Sequence, residues 1–155
     1  MIVEVTGKLI IDMRAREWCL IPYSMHAKGC PNYGKRPECP PQAPFIQNFI
    51  DLSRAHFFVV EIFDMKAQVE KMALNPRLKT NAQRRCCLYW QNGVRKRLIE
   101  QVEDFITGFP QLVYTLIPEA MGIDVIKTAQ NVGIPIETKP KDTIYKIALV
   151  GFRKV

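Results

Sequence analysis

No apolar run in this sequence approaches the roughly 20 residues that a membrane-spanning helix needs. The opening residues, Met1-Ile2-Val3-Glu4-Val5, have no basic stretch leading into an apolar segment, so no secretory signal is expected. Lysine and arginine never run far enough to make a basic tail, and their densest cluster is Arg95-Lys96-Arg97. Histidine occurs only as His26 and His56. Closely spaced Cys-x2-4-Cys pairs, whose tight turn aims two thiolates at one zinc ion, are missing too, which excludes ordinary zinc fingers and ribbons. There is no internal repeat and no linker-like stretch. These absences lead to the expectation of a single cytoplasmic domain over residues 1–155, with no membrane partner.

What is present supports a folded chain. A hydrophobic share of 48% over 155 residues is enough for one real core, and disorder is not the default. The formal charge is 22 − 15 = +7, which allows an anionic partner without demanding nucleic acid. Five cysteines are an odd number, and a reducing compartment favours metal binding or catalysis over disulfides.

The chain is organised around residues 18–44. Three of the five cysteines and six of the eleven prolines fall there, in a stretch too rich in Pro and Gly for a helix or an inner strand. Such a segment needs something other than backbone hydrogen bonds to fix it, and the reading is a metal-binding loop. Around it, apolar residues alternate over residues 2–11, which predicts a strand with one buried face. Helical spacing follows over residues 45–55. Residues 57–63 are nearly all apolar and read as an interior strand covered on both faces. Residues 65–74 suit a short helix. Residues 82–107 read as one long helix with Cys87, Trp90, Val94, Leu98, Val102 and Phe105 on its apolar stripe. A strand at 112–116 follows, then a short helix capped by Asp124, then a terminal hairpin pairing residues 134–137 with 143–152. The expected fold class is α/β or α+β, one domain with a mixed sheet and one long helix.

Cys30 and Cys39 are each followed by proline, as cluster-ligating cysteines are in bacterial ferredoxin runs. They are the first two expected ligands. A four-iron cluster needs thiolates from several directions, and a helix start supplies one while its dipole favours thiolate over thiol. Cys87, on the core side of the predicted helix, is preferred to Cys86 as that third ligand. Cys19, eleven residues before Cys30, is a further candidate whose alternative is a small buried hydrophobe. His26 lies near Cys30 and is read as solvated more readily than as a ligand; His56 is read as structural.

At this point the residues resemble a known group. Cys30-Pro31-Asn32-Tyr33-Gly34-Lys35 followed by Cys39-Pro40-Pro41 resembles the signature of a prokaryotic family of predicted metal-binding proteins. Glu119-Ala120-Met121-Gly122-Ile123-Asp124-Val125 is similar to that family's Glu-Ala-x-Gly-Ile-Asp-Val segment. The family carries an extra cysteine shortly before the first matching one, where this chain has His26, Ala27 or Lys28. The resemblance implies metal binding.

Three functions follow as expectations. In the first, a [4Fe-4S] cluster on Cys30, Cys39 and a helix cysteine leaves one iron without a protein thiolate, a Lewis acid for desulfidase- or dehydratase-like chemistry. Lys28, Lys35 and Arg36 would hold a small anionic substrate, and Glu119 would carry a proton. The second is electron transfer or sensing with four protein ligands. The third is a structural zinc site in a protein that binds RNA or a protein partner.

Overall fold

The computed structural model describes residues 1–23 and 25–155. Its frame is a four-stranded sheet in the order β1-β2-β4-β3, with β1 at Ile2–Glu4, β2 at His56–Asp64, β3 at Leu112–Thr115 and β4 at Thr143–Phe152. Every pairing is antiparallel, in place of the mixed sheet expected. The fold class is the expected one, helices and a sheet in one domain.

Residues of β2 and β4 alternate between two apolar layers. Phe58, Val60, Ile147 and Leu149 join Ile46, Ile50, Ile123 and Ala129 on one face. Val59, Ala148 and Val150 meet Leu98 and Val102 of helix α4 (Gln91–Ile106) on the other. Both central strands are thus covered on both sides, which is why 57–63 carries no polar alternation. Three short helices complete the frame: α1 at Ile46–Phe49, α2 at Met65–Met72 and α5 at Val125–Asn131. Asp124 caps α5 as expected, accepting from the Lys127 amide at 2.9 Å. His56 is buried, and its Nδ1 lies 2.8 Å from the Arg54 carbonyl, consistent with a structural place.

Four expected elements come out differently. The first strand stops at Glu4, because Thr6-Gly7-Lys8 form a turn with Gly7 at φ +69°. The helix after Pro44 lasts only Ile46–Phe49, since Ile50 turns extended to bridge to Arg153. Residues 134–137 form no strand, and β4 instead fills the centre between β2 and β3.

The long helix is the largest correction. It is broken into α3 (Asn81–Arg84), a 3-10 turn at Cys87–Tyr89, and α4. Arg85 explains the break. Its guanidinium donates to the carbonyls of Pro140 and Lys141, and its own carbonyl accepts the Trp90 indole N–H at 3.0 Å. Trp90 in turn stacks on Phe63 with ring centroids 5.0 Å apart. The Tyr89 amide, which would return to the Arg85 carbonyl in a continuous helix, closes instead on the Cys86 carbonyl at 3.1 Å. The break also turns the two neighbouring cysteines round: Cys86 is buried and Cys87 is half-exposed, the reverse of the orientation expected.

Candidate functional site

One edge of the sheet is only partly paired. β3 pairs with β4 only from Leu149 to Phe152, so the Thr143–Ala148 half of β4 has no neighbouring strand on that edge among the described residues. Past β3 the chain forms a 3-10 turn at Pro118–Met121, and the 3-10 helix Met13–Leu20 packs against it. Gly122 fits this contact because a Cβ there would press within 2.8 Å of the Met13 thioether. The Met13–Leu20 helix starts at Asp12, whose carboxylate accepts from the Arg14 amide at 3.0 Å and pairs with the Arg14 guanidinium at 2.7 Å. Cys19 sits in its last turn.

From there the loop folds back on itself. The Cys30 amide donates to the Cys19 carbonyl at 2.6 Å. Gly29, at φ +79°, lies so close that a Cβ would fall 2.4 Å from that carbonyl oxygen. Further along, turns are closed by Tyr33 N–H to Cys30 O, Cys39 N–H to Arg36 O and Ala43 N–H to Cys39 O. Arg16 straps the far end, donating to the Ala43 carbonyl at 2.9 Å and the Pro41 carbonyl at 2.8 Å, with its guanidinium 4.7 Å from the Phe45 ring centre. A Pro-rich segment with few ladder bonds is thus fixed from outside by one arginine and from inside by one glycine.

The three loop thiols lie within electrostatic reach of one another. Burial first, then the fields of Cys30, Glu119 and Cys39, push the Cys19 thiol up to about 11. Cys39 is raised by burial and by Glu38 and Cys30. Tyr23 carries the loop to the fourth sulfur. Its hydroxyl donates to the Cys87 sulfur, and partial burial together with the fields of Cys87 and Cys30 pushes the phenol up to about 12. The His26 ring stacks on Tyr23 at 4.5 Å. Cys87 itself is raised by burial and by its neighbour Cys86.

Cys19, Cys30 and Cys39 lie within electrostatic reach of one another, and Cys87 is joined to the loop through Tyr23. Cys86 is buried, 6% exposed, and acts on its neighbour Cys87. Glu119 is half-buried within electrostatic reach of Cys19. Lys28, Lys35 and Arg36 are exposed on the loop. Two participants were not anticipated. Tyr23 is one. Lys146 is the other, a β4 residue whose positive charge also reaches Cys19. A lysine inside the otherwise apolar run Ile144-Tyr145-Lys146-Ile147-Ala148 was the available signal.

Among the described residues, no three or more His, Cys, Asp or Glu side chains stand close enough to close on one metal ion. Thiols are soft donors of the kind that zinc and iron–sulfur clusters take, but here they stand too far apart to close on one ion. No family model matches this chain, and neither the curated proteins nor the solved structures compared with it give a match.

Proposed function

We propose that the chain carries a cysteine-ligated metal centre, a [4Fe-4S] cluster in preference to zinc, and uses it as a non-redox cluster enzyme on a small anionic substrate. The observation that carries this reading is that the thiols of Cys19, Cys30 and Cys39 lie within electrostatic reach of one another while Tyr23 ties Cys87 to the same loop. Zinc bonds of about 2.3 Å require sulfurs drawn tightly together, whereas a cluster spreads its ligands, so the open donor set suits the cluster better. In the proposed arrangement the loop thiols Cys19, Cys30 and Cys39 are the protein ligands. Cys87 stays hydrogen-bonded to Tyr23. An iron left without a protein thiolate would supply a Lewis acid for desulfidase- or dehydratase-like chemistry.

The chain's own groups then have these tasks. Glu119, on the 3-10 turn beside Cys19, is a half-buried carboxylate able to take or give a proton. Its position on a turn packed against Met13–Leu20 holds it rigid relative to the thiols. Lys28, Lys35 and Arg36 line the approach with positive charge, which attracts an anionic substrate. Arg16 and Gly29 hold the loop in the shape that presents the sulfurs.

Anaerobic reconstitution of the full chain tests the proposal. About four irons and four sulfides per chain, with broad visible absorption, are expected. A colourless preparation with one tightly held zinc overturns the cluster. The second reading, a four-cysteine electron-transfer or sensing centre, is separated by one variant. Cys87→Ser retains the cluster if three loop thiols suffice, and loses it if all four are needed, in which case the Lewis-acid reading falls.

A further inference from the structure

Cys19 and Cys30 are eleven residues apart in the chain and meet through their backbones. The Cys30 amide donates to the Cys19 carbonyl at 2.6 Å, and the covalent bonds on either side of that contact hold the two α-carbons no more than about 6.5 Å apart. Disulfides form where α-carbons are about 4.4–6.8 Å apart, so a bridge between these residues asks for side-chain rotation rather than a new path for the loop. Gly29, at φ +79°, lets the chain come this close, and Arg16 holds the far end of the same loop. The approach is built into the fold.

The other cysteines lack this arrangement. Among the described residues, no backbone hydrogen bond joins Cys39 to Cys19 or to Cys30. Cys86 is buried, and the Cys87 sulfur accepts the Tyr23 hydroxyl. Cys19 and Cys30 are both free thiols and half-buried, open enough for a small reagent to reach. Of the charged neighbours of Cys19, Cys30 acts most strongly, ahead of Glu119 and Cys39, as two sulfurs facing one another would.

We infer that Cys19 and Cys30 form a reversible disulfide, a redox-modification site whose oxidant is a small-molecule disulfide of the glutathione class. One protein thiolate attacks a sulfur of that disulfide, forms a mixed disulfide and releases one small thiolate. The second protein thiolate attacks the protein sulfur of the mixed disulfide, closes the Cys19–Cys30 bond and releases the other small thiolate. The two protein thiols give up two electrons and two protons, and both halves of the oxidant leave as thiols. The bridge itself needs no metal. Its consequence rests on the proposed metal centre: a bridged pair has no thiolate left to give, so oxidation blocks loading and reduction restores it. In a reducing compartment such a bridge works as a switch rather than as a permanent staple.

The test equilibrates the metal-free full-length chain with oxidised and reduced glutathione, quenches it in acid and digests it with trypsin. Cleavage after Lys28 and Lys35 puts Cys19, Cys30 and Cys39 on separate peptides, so mass spectrometry reads each bridge directly. In the native chain the Cys19–Cys30 bridge is expected to outweigh Cys30–Cys39 by about ten-fold or more. In denaturing urea loop closure alone decides, the two loops are of similar length, and the excess is expected to shrink to about two-fold or less. Gly29→Ala, which displaces the crossing, is expected to slow native bridging several-fold. A native chain that bridges other cysteines as readily, keeps its preference unchanged in urea, or bridges as fast with Gly29→Ala overturns the inference. Zinc, which takes the same thiolates, is then titrated into the reduced and the oxidised parent. Loss of binding on oxidation and recovery with dithiothreitol are expected, and undiminished binding by the oxidised chain overturns the switch. A reduced parent that takes up neither zinc nor iron overturns the metal centre, while the peptide map still decides the bridge.

Discussion

The Cys30 amide and the Cys19 carbonyl meet at 2.6 Å, and Gly29 passes directly over the same carbonyl. That single crossing brings together two cysteines eleven residues apart and sets the entrance of the thiol site. Beyond it the loop is closed by local turns and by Arg16, which reaches from the helix of Cys19 to the Pro41 and Ala43 carbonyls, so the crossing and this strap together set the placement of Cys19 against the Cys30–Cys39 segment.

Gly29→Ala is therefore expected to open the loop without unfolding the sheet. The new methyl would stand 2.4 Å from the Cys19 oxygen and 2.7 Å from the Leu20 carbonyl carbon, both backbone atoms, at a φ of +79°. A non-glycine residue in that region costs about 1–3 kcal/mol before any clash is counted. Thermal melting should show a modest loss, and alkylation of Cys19 and Cys30 in the metal-free chain should accelerate several-fold. Unchanged alkylation rates would show that the crossing does not hold the site.

The adjacent cysteines should part company in a substitution series. Cys86 is buried at 6% exposure and belongs to the core, so Cys86→Ala should leave iron loading intact and lower stability by about 1 kcal/mol through the small cavity it creates. Cys19→Ala, Cys30→Ala and Cys39→Ala should each abolish or sharply reduce loading with little effect on the metal-free melt. Loading that depends on Cys86 and survives loss of Cys19 would contradict this assignment.

Much of the frame was legible in the sequence because period and burial agree there. The apolar run at 57–63 is apolar on both faces and became β2, sandwiched between two layers. Asp124 before an apolar turn became a helix cap. The long helix misled because its stripe is real from Val94 to Val102, while the break before it depends on Arg85 reaching Pro140 and Lys141, some 55 residues away. No local pattern records such a contact. The same holds for the site. Cys30 and Cys39 announce themselves by their prolines, whereas Cys19 is joined to them only through the Gly29 crossing, and Tyr23 to Cys87 only through the fold.

A core prediction tests the sheet. Gly151 lies in β4 where a Cβ would come within 2.9 Å of the Ile50 Cδ1 and 3.2 Å of its Cβ and Cγ2. Ile50 is fully buried and is held by its bridge to Arg153, so it has little room to withdraw. Gly151→Ala should cost about 1–3 kcal/mol by overpacking, and Gly151→Val more. Paired with Ile50→Val, which removes one methylene, the alanine variant should recover part of that loss. Denaturant midpoints at constant slope measure it, and additive losses in the pair would refute the contact.

Alkaline conditions should weaken the metal-free fold, and the sign follows from two raised groups. Folding lifts Cys19 from an ordinary thiol value of 9.0 to about 11, chiefly by burial, and lifts Tyr23 from 10.0 to about 12 for the same first reason. Below pH 9 both groups are protonated in folded and unfolded chains alike, so their contribution is fully present. Between about 9 and 12 the unfolded chain releases these protons while the folded chain retains them, and stability falls as pH rises. The denaturant midpoint should therefore decline across that window, and Cys19→Ser should remove the part of the decline between 9 and 11. The same retained protons govern loading. Metal takes thiolate, so each raised thiol must release its proton on binding, and affinity measured by zinc titration should rise steeply from pH 6 to pH 8 with protons appearing in the medium. Binding that is flat across that range, with no proton release, would mean that Cys19 and Cys39 are not ligands.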